Sequence, residues 1–215
     1  MKNKKIDIVI IFLLGLSLLG ILYIYPSLPQ TIPTHWNYKG EMDGSGSKST
    51  LFFLWAMTAG LNLLFIVIAK IDPKKENYIK FSKVYHIFRV VMTLFMIGMI
   101  VITVYSVHKP TINVTMVTMF MLGVLFMILG NYMPKCKHNY TFGIKTPWTL
   151  ASENVWNKTH RMAGPIWLAS GFLVSAVSVI FPQGITVISV VLLLPTVVLP
   201  YVYSYVEFNK EKNKP

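Results

Sequence analysis

The sequence predicts an all-α integral membrane protein: six transmembrane helices, both termini cytoplasmic, and a short amphipathic helix in the cytoplasmic loop between the fourth and fifth helices. Three observations carry this expectation. Hydrophobic residues make up 54% of the 215 residues and charged ones only 13%, against about 25% charged in a soluble globular protein. Six apolar runs have the length that crosses the hydrocarbon as a helix. The basic residues fall very unevenly between the loops joining those runs. The composition also sets aside disordered, collagen-like and disulfide-rich secreted classes.

The runs cover residues 6–25, 51–69, 87–107, 114–133, 165–181 and 185–206. Backbone polar groups in lipid must be satisfied within the segment or in a closed barrel, and continuous rather than alternating apolar character selects helices. Lys2, Lys4 and Lys5 precede the first run as they would in a signal peptide. Its apolar core of about twenty residues, with no small-x-small cleavage site after it, instead reads as a retained signal anchor.

The net charge is +12, from 20 Lys and Arg against 8 Asp and Glu. Sixteen of those twenty lie in the amino-terminal tail, the loops 70–83 and 135–161, and the tail from Lys210, while the opposite face holds Lys39, Lys48 and Lys109. Arg89 lies one turn into the third run and is expected to snorkel toward the basic loop. The positive-inside rule then places the termini and both basic loops in the cytoplasm. This accounts for the charge without nucleic acid, because the basic residues flank spans and form no aromatic-interleaved face; direct nucleic-acid binding is not expected. The single Cys136 allows no internal disulfide. Cys136, His138 and the distant His160 lack the paired spacing of structural zinc and read as a cytoplasmic thiol and two interfacial histidines. No metal or cofactor is expected.

Inside the spans, Gly123 and Gly130 in the fourth, and Gly171, Ser175 and Ser178 in the fifth, allow close helix approach. Pro195 and Pro200 are expected to kink the sixth, and Asn62 is the clearest uncharged polar group in the second. No acidic residue lies deep in a span, with Asp7 and Glu207 at cytoplasmic ends, which disfavours ion-coupled transport.

Two loops are longer than simple connections require. In the outer one, from Leu28 to Thr50, Pro29 and Pro33 favour an extended entry, Trp36 and Tyr38 suit the headgroup boundary, and Gly40, Gly44 and Gly46 permit tight turns. His35, Glu41 and Asp43, with His108, would offer oxygen and imidazole ligands, but their spacing matches no metal motif, and a solvated loop with local turn hydrogen bonds is the preferred reading. In the cytoplasmic loop, from Pro134 to Gly164, Gly143 and Thr146-Pro147 break regular structure, after which Ser152 is an N-cap and Glu153 complements a helix dipole. Val155, Trp156, Thr159, Met162 and Ala163 share one face, while Asn157, Lys158, His160 and Arg161 point elsewhere, the pattern of an interfacial helix. Trp148 and Trp156 are expected at the headgroups, and Lys145, Lys158 and Arg161 against anionic lipid or an acidic partner. Glu153, His160 and Arg161 supply an acid, a base and a cation, but without a nucleophile elbow, paired carboxylates or a phosphate-cradling glycine loop no enzymatic activity is expected.

At these two loops the sequence resembles a known family. The outer run Leu28, Pro29, Ile32, Pro33, His35, Trp36, Gly40, Gly44 resembles a small domain of unknown function that opens many bacterial membrane proteins. The cytoplasmic run is similar to the signature of the SdpI immunity proteins at Gly130, Asn131, Asn139, Gly143, Ile144, Lys145, Thr146, Pro147, Trp148, Thr149, Leu150, Glu153, Trp156, Thr159, His160 and Arg161. Lys145 stands where Arg is commoner, keeping the charge and losing bidentate geometry. The resemblance implies a multipass plasma-membrane protein giving immunity to a secreted, membrane-active toxin of the sporulation-delaying type, which also holds a small DNA-binding autorepressor at the membrane. It implies a first helical hairpin with an extracellular loop over residues 1–69 and a four-helix region over 70–215. The cytoplasmic partner-binding residues would be Asn139, Gly143, Lys145, Thr146, Pro147, Trp148, Glu153, Trp156, Thr159, His160 and Arg161. The extracellular ones would be Pro33, His35, Trp36, Gly40 and Asp43. The competing class is a small-solute transporter or channel, suggested by six spans and Asn62.

Overall fold

In the computed structural model, which describes residues 4–182 and 184–213, six helices are long and apolar enough to cross a membrane. Lys2 and Lys214, two of the basic residues that set the expected orientation, lie outside the described residues. In chain order the elements are α1 (Lys4–Ile24), β1 (Thr31–Trp36), β2 (Met42–Ser47), α2 (Thr50–Ile71), α3 (Asn77–Lys80), α4 (Ser82–His108), α5 (Val114–Tyr132), α6 (Pro147–Ala151), α7 (Glu153–Ile180) and α8 (Ile185–Lys212). Helices α1, α2, α4, α5, α7 and α8 are the six predicted spans.

The outer loop is more ordered than its glycines and polar residues suggested. It folds as an antiparallel hairpin, pairing Thr31 with Ser47 and Trp36 with Met42. Gly40 makes the turn at φ +84°, a backbone conformation open to glycine. Asn37 fixes that turn, its side-chain oxygen accepting from the amides of Lys39 (2.9 Å) and Glu41 (3.1 Å). Ile32 is buried with Ile21, Leu28, Leu51 and Ile100, which ties the hairpin to α1, α2 and α4.

The expected separate interfacial helix does not form. Helix α7 runs unbroken from Glu153 to Ile180, with Pro165 inside it. Val155, Trp156, Thr159, Ala163, Gly164, Ser170, Gly171, Val174, Ser175 and Ser178 are all buried along it. One packed stripe therefore continues through the proline, and this tertiary contact outweighs the hydrogen bond that Pro165 cannot make.

Helices α5 and α7 pack through their backbones. A Cβ at Gly123 would come within 2.5 Å of Gly171 O and 2.7 Å of Ser175 N, and one at Gly130 within 2.5 Å of Leu168 N and 2.7 Å of Gly164 O. Only glycine fits such an approach, the mode that drives helix association in lipid. Between α7 and α8, the Trp167 indole donates to Thr196 O at 3.0 Å. That carbonyl is the one left without its helical partner by Pro200, four residues on, so the indole satisfies a group the proline orphaned. Helix α8 continues as one element through both Pro195 and Pro200.

Arg89 does not snorkel to the surface. It is 4% exposed, and its Nη1 donates to Asp7 Oδ1 of α1 at 2.9 Å. A guanidinium at this depth requires a counter-charge, and the first turn of α1 supplies it. Asn62 links α2 to α4, donating to Thr93 Oγ1 at 2.9 Å.

The bundle has two distinct ends. At one, Thr186 Oγ1 at the start of α8 donates to Tyr38 O of the hairpin loop at 3.2 Å. At the other, Asp7 near the amino terminus meets Arg89, and Glu211 near the carboxyl terminus accepts from Ser152 Oγ at 2.9 Å. The loop 134–164 lies at this second, basic end.

Candidate functional site

The site is built where α2 gives way to α3. Lys74 N donates to Asp72 Oδ1 at 2.8 Å, an Asx turn across Pro73 that fixes the carboxylate. The other oxygen accepts from Tyr78 Oη (3.0 Å), Thr141 Oγ1 (2.8 Å) and Tyr140 N (3.1 Å), so one buried aspartate ties α2 and α3 to the signature loop. Burial alone would raise the Asp72 pKa, but these hydrogen bonds together hold it below the ordinary carboxylate value. Asn139 is fully buried beside it, its oxygen accepting from the amides of Thr141 (2.9 Å) and Phe142 (2.6 Å) and from Tyr78 Oη (3.2 Å).

His138 is the second anchor. Its Nδ1 lies 2.7 Å from Lys74 Nζ and its Nε2 3.2 Å from Leu150 O. The ammonium only donates and the carbonyl only accepts, so the ring is neutral with its proton on Nε2. Burial, reinforced by the Lys74 charge, lowers the pKa of His138 from 6.5. Asn77 Nδ2 also donates to the His138 carbonyl at 2.8 Å.

Trp156 and His160 close the loop from α7. Trp156 is completely buried, with ring centroids 4.1 Å from His160 and 5.1 Å from His138, and its indole donates to Cys136 O at 2.9 Å. His160 Nε2 accepts from Ile144 N at 3.0 Å, which places the proton on Nδ1, donated to Trp156 O at 2.9 Å. Gly143 has φ +119°, and a Cβ there would meet His160 Nε2 at 2.6 Å and the Trp156 ring at 3.0 Å. The expectation of Trp156 at the headgroups and His160 on the polar side is therefore corrected: both face inward, because the loop folds back over the start of α7 and excludes solvent from them. Thr159 is buried with them. The Cys136 thiol, 1% exposed, has its pKa pushed up by burial to about 12.

The segment 146–152 carries two consecutive caps. Thr146 Oγ1 accepts from Thr149 N, and Thr149 Oγ1 accepts from Thr146 N, a capping box that starts α6 with Pro147 at its first position. Ser152 caps α7, as its position predicted, accepting from Val155 N. Thr146 Oγ1 also donates to Ser204 Oγ of α8 at 2.9 Å. Trp148, half-buried, packs edge-on against Tyr201 and Tyr205, ring centroids 5.0 Å away in both cases.

The residues expected to bind a cytoplasmic partner thus divide. Asn139, Thr146, Trp156, Thr159 and His160 are buried; Gly143 and Trp148 are half-buried; Lys145, Pro147, Glu153 and Arg161 are exposed. Lys158, expected to meet lipid or a partner, is held by Glu207 at 2.6 Å. At the hairpin end, His35 and Asp43 are exposed and paired, Nδ1 to Oδ1, while Pro33, Trp36 and Gly40 are half-buried. Glu41 accepts from Asn37 Nδ2, and His108 lies against Val104 O. Among the described residues no three His, Cys, Asp or Glu side chains are grouped to hold a metal ion.

Sequence reading placed His138, which is buried, at the interface and missed Asp72, Lys74 and Tyr78. The Asp-Pro step at 72–73, a turn signal, marked Asp72; Lys74 and Tyr78 meet the loop only through tertiary pairing.

Comparison with known proteins follows these two ends. Residues 135–204 match the SdpI/YfhL protein family, and residues 11–59 match a domain of unknown function (DUF1648). The chain is 25% identical over 210 residues to the immunity protein SdpI of Bacillus subtilis (strain 168), covering 98% of each chain. No solved structure matches the chain.

Proposed function

We propose that this chain, whose residues 135–204 match the SdpI/YfhL protein family, is a multipass plasma-membrane immunity protein against a secreted, membrane-active toxin of the sporulation-delaying type. The observation that carries this reading is the similarity to an immunity protein along 98% of the chain. The charge asymmetry supports cytoplasmic termini and an extracellular hairpin. In that orientation the exposed His35–Asp43 pair and the half-buried Pro33, Trp36 and Gly40 form the toxin-facing surface.

The signature loop is the cytoplasmic docking surface for a small DNA-binding autorepressor. Its buried residues, Asn139, Thr146, Trp156, Thr159 and His160, hold the shape. Its exposed ones, Lys145, Pro147, Glu153 and Arg161, with Gly143 and Trp148 at the rim, make the contacts. The two exposed cations suit an acidic partner surface.

A strain lacking this protein, challenged with toxin, tests the immunity reading. Restoring the wild-type chain rescues survival; equal killing with and without the chain, at verified membrane expression, overturns it.

A further inference from the structure

At the basic end a groove of about 1020 Å³ lies between the starts of α1 and α4, apart from the signature loop. Lys4, Lys5 and Lys83 line it together with Ile87, Val90 and Val91. On α4 these follow in order: Lys83 first, then Ile87 one turn and Val90 and Val91 two turns deeper. Charge therefore sits at headgroup level and an apolar wall continues toward the hydrocarbon.

None of the three lysines is neutralised by a described residue, the ion pairs being His35–Asp43, Arg89–Asp7, Lys158–Glu207 and Lys210–Glu207. Helix α4 opens at the groove without a side-chain cap, so the amide of Ser82, which lines it, lies at the positive end of the helix dipole. His86, 5% exposed, also lines the groove. Its Nδ1 faces Arg89 Nη1 at 3.5 Å, and a guanidinium only donates, so the ring proton is on Nε2, which has no acceptor among the described residues. The groove thus combines unpaired cations, unused donors and an apolar wall.

We propose that this groove binds an anionic phospholipid of the phosphatidylglycerol class. The phosphate sits between Lys4, Lys5, Lys83 and the start of α4, and an acyl chain lies along Ile87, Val90 and Val91. Basic pockets at the cytoplasmic ends of membrane helices take such headgroups.

Native mass spectrometry of the full chain in detergent, titrated with phosphatidylglycerol or phosphatidylcholine of identical acyl chains, tests this. Phosphatidylglycerol is retained preferentially. The combined variant Lys4→Gln, Lys5→Gln, Lys83→Gln lowers its apparent affinity by on the order of a hundredfold, about fivefold per cation. A control with the same charge change, Lys135→Gln, Lys137→Gln, Lys212→Gln, leaves it unaltered, while Val91→Trp, which fills the apolar wall and keeps every lysine, weakens it. Equal retention of the two lipids, or equal loss in the control, overturns the proposal. So does displacement of the lipid by free glycerol 3-phosphate with no effect of Val91→Trp, which would mark a site for soluble phosphate.

Discussion

Each histidine of the signature loop has one tautomer dictated by its neighbours, and this makes the loop sensitive to acid. His138 takes a proton less readily in the closed loop than in an opened one, since burial and Lys74 lower its pKa from 6.5. Its stabilising contribution is complete above about pH 6.5 and is lost as the pH falls through the lowered value. Asp72, also lowered, contributes above its ordinary 3.8 and is lost only in stronger acid. Hydrogen exchange of residues 136–150, corrected for intrinsic rates, should therefore rise between pH 7.5 and 5; unchanged protection would contradict the assignment. Gly143→Ala should open the same loop at neutral pH. It imposes a side chain at φ +119° and pushes it into His160 and Trp156, a cost of about 1–3 kcal/mol, visible as lost protection of this segment with the helices intact.

At the level of the helices, close packing in lipid falls on the positions where the sequence carries glycine. Gly123→Leu or Gly130→Leu would drive a side chain into backbone atoms of α7, which cannot rotate away as a side chain would. Overpacking of this kind costs typically about 1–3 kcal/mol, and thermal unfolding in detergent should register it more strongly than Gly15→Leu, which meets nothing within 4 Å. Trp167→Phe keeps the stacked ring against Phe126 but orphans Thr196 O, and should destabilise by about 1 kcal/mol or more. The glycines, the N-cap at Ser152 and the six apolar runs were all legible, because each is a local pattern with one physical meaning. The continuity of α7 into the fifth span was not. Pro165 marks a boundary by local rule, and the buried stripe that runs from Val155, Trp156, Thr159 and Ala163 on to Ser170 and Gly171 keeps the helix going through it. The hairpin was missed for the opposite reason: β2 reads MDGSGS, with no strand-forming residues, and its pairing depends on Asn37, Gly40 and the buried Ile32 of the partner strand.

Across the whole molecule, one chain presents two unlike surfaces on opposite ends of a single bundle. The partner-binding residues inferred from family resemblance mixed scaffold with surface, since the motif takes in buried Trp156 and exposed Lys145 alike and only burial separates them. Orientation is the first consequence to check. In a Cys136→Ala background, a cysteine at exposed Lys39 should react with a membrane-impermeant maleimide on intact cells, and one at exposed Lys145 should react only after lysis; the reverse would invert the topology. The hairpin end is proposed to meet toxin and the loop end to signal. The most direct measurement of this division scores toxin survival and a repressor-controlled reporter together, in cells carrying wild type, His35→Ala with Asp43→Ala, or Lys145→Glu with Arg161→Glu, at equal membrane abundance. Lost survival is expected for the hairpin variant, and retained survival with an unresponsive reporter for the loop variant. Unaltered survival and reporter response in both variants would contradict this division.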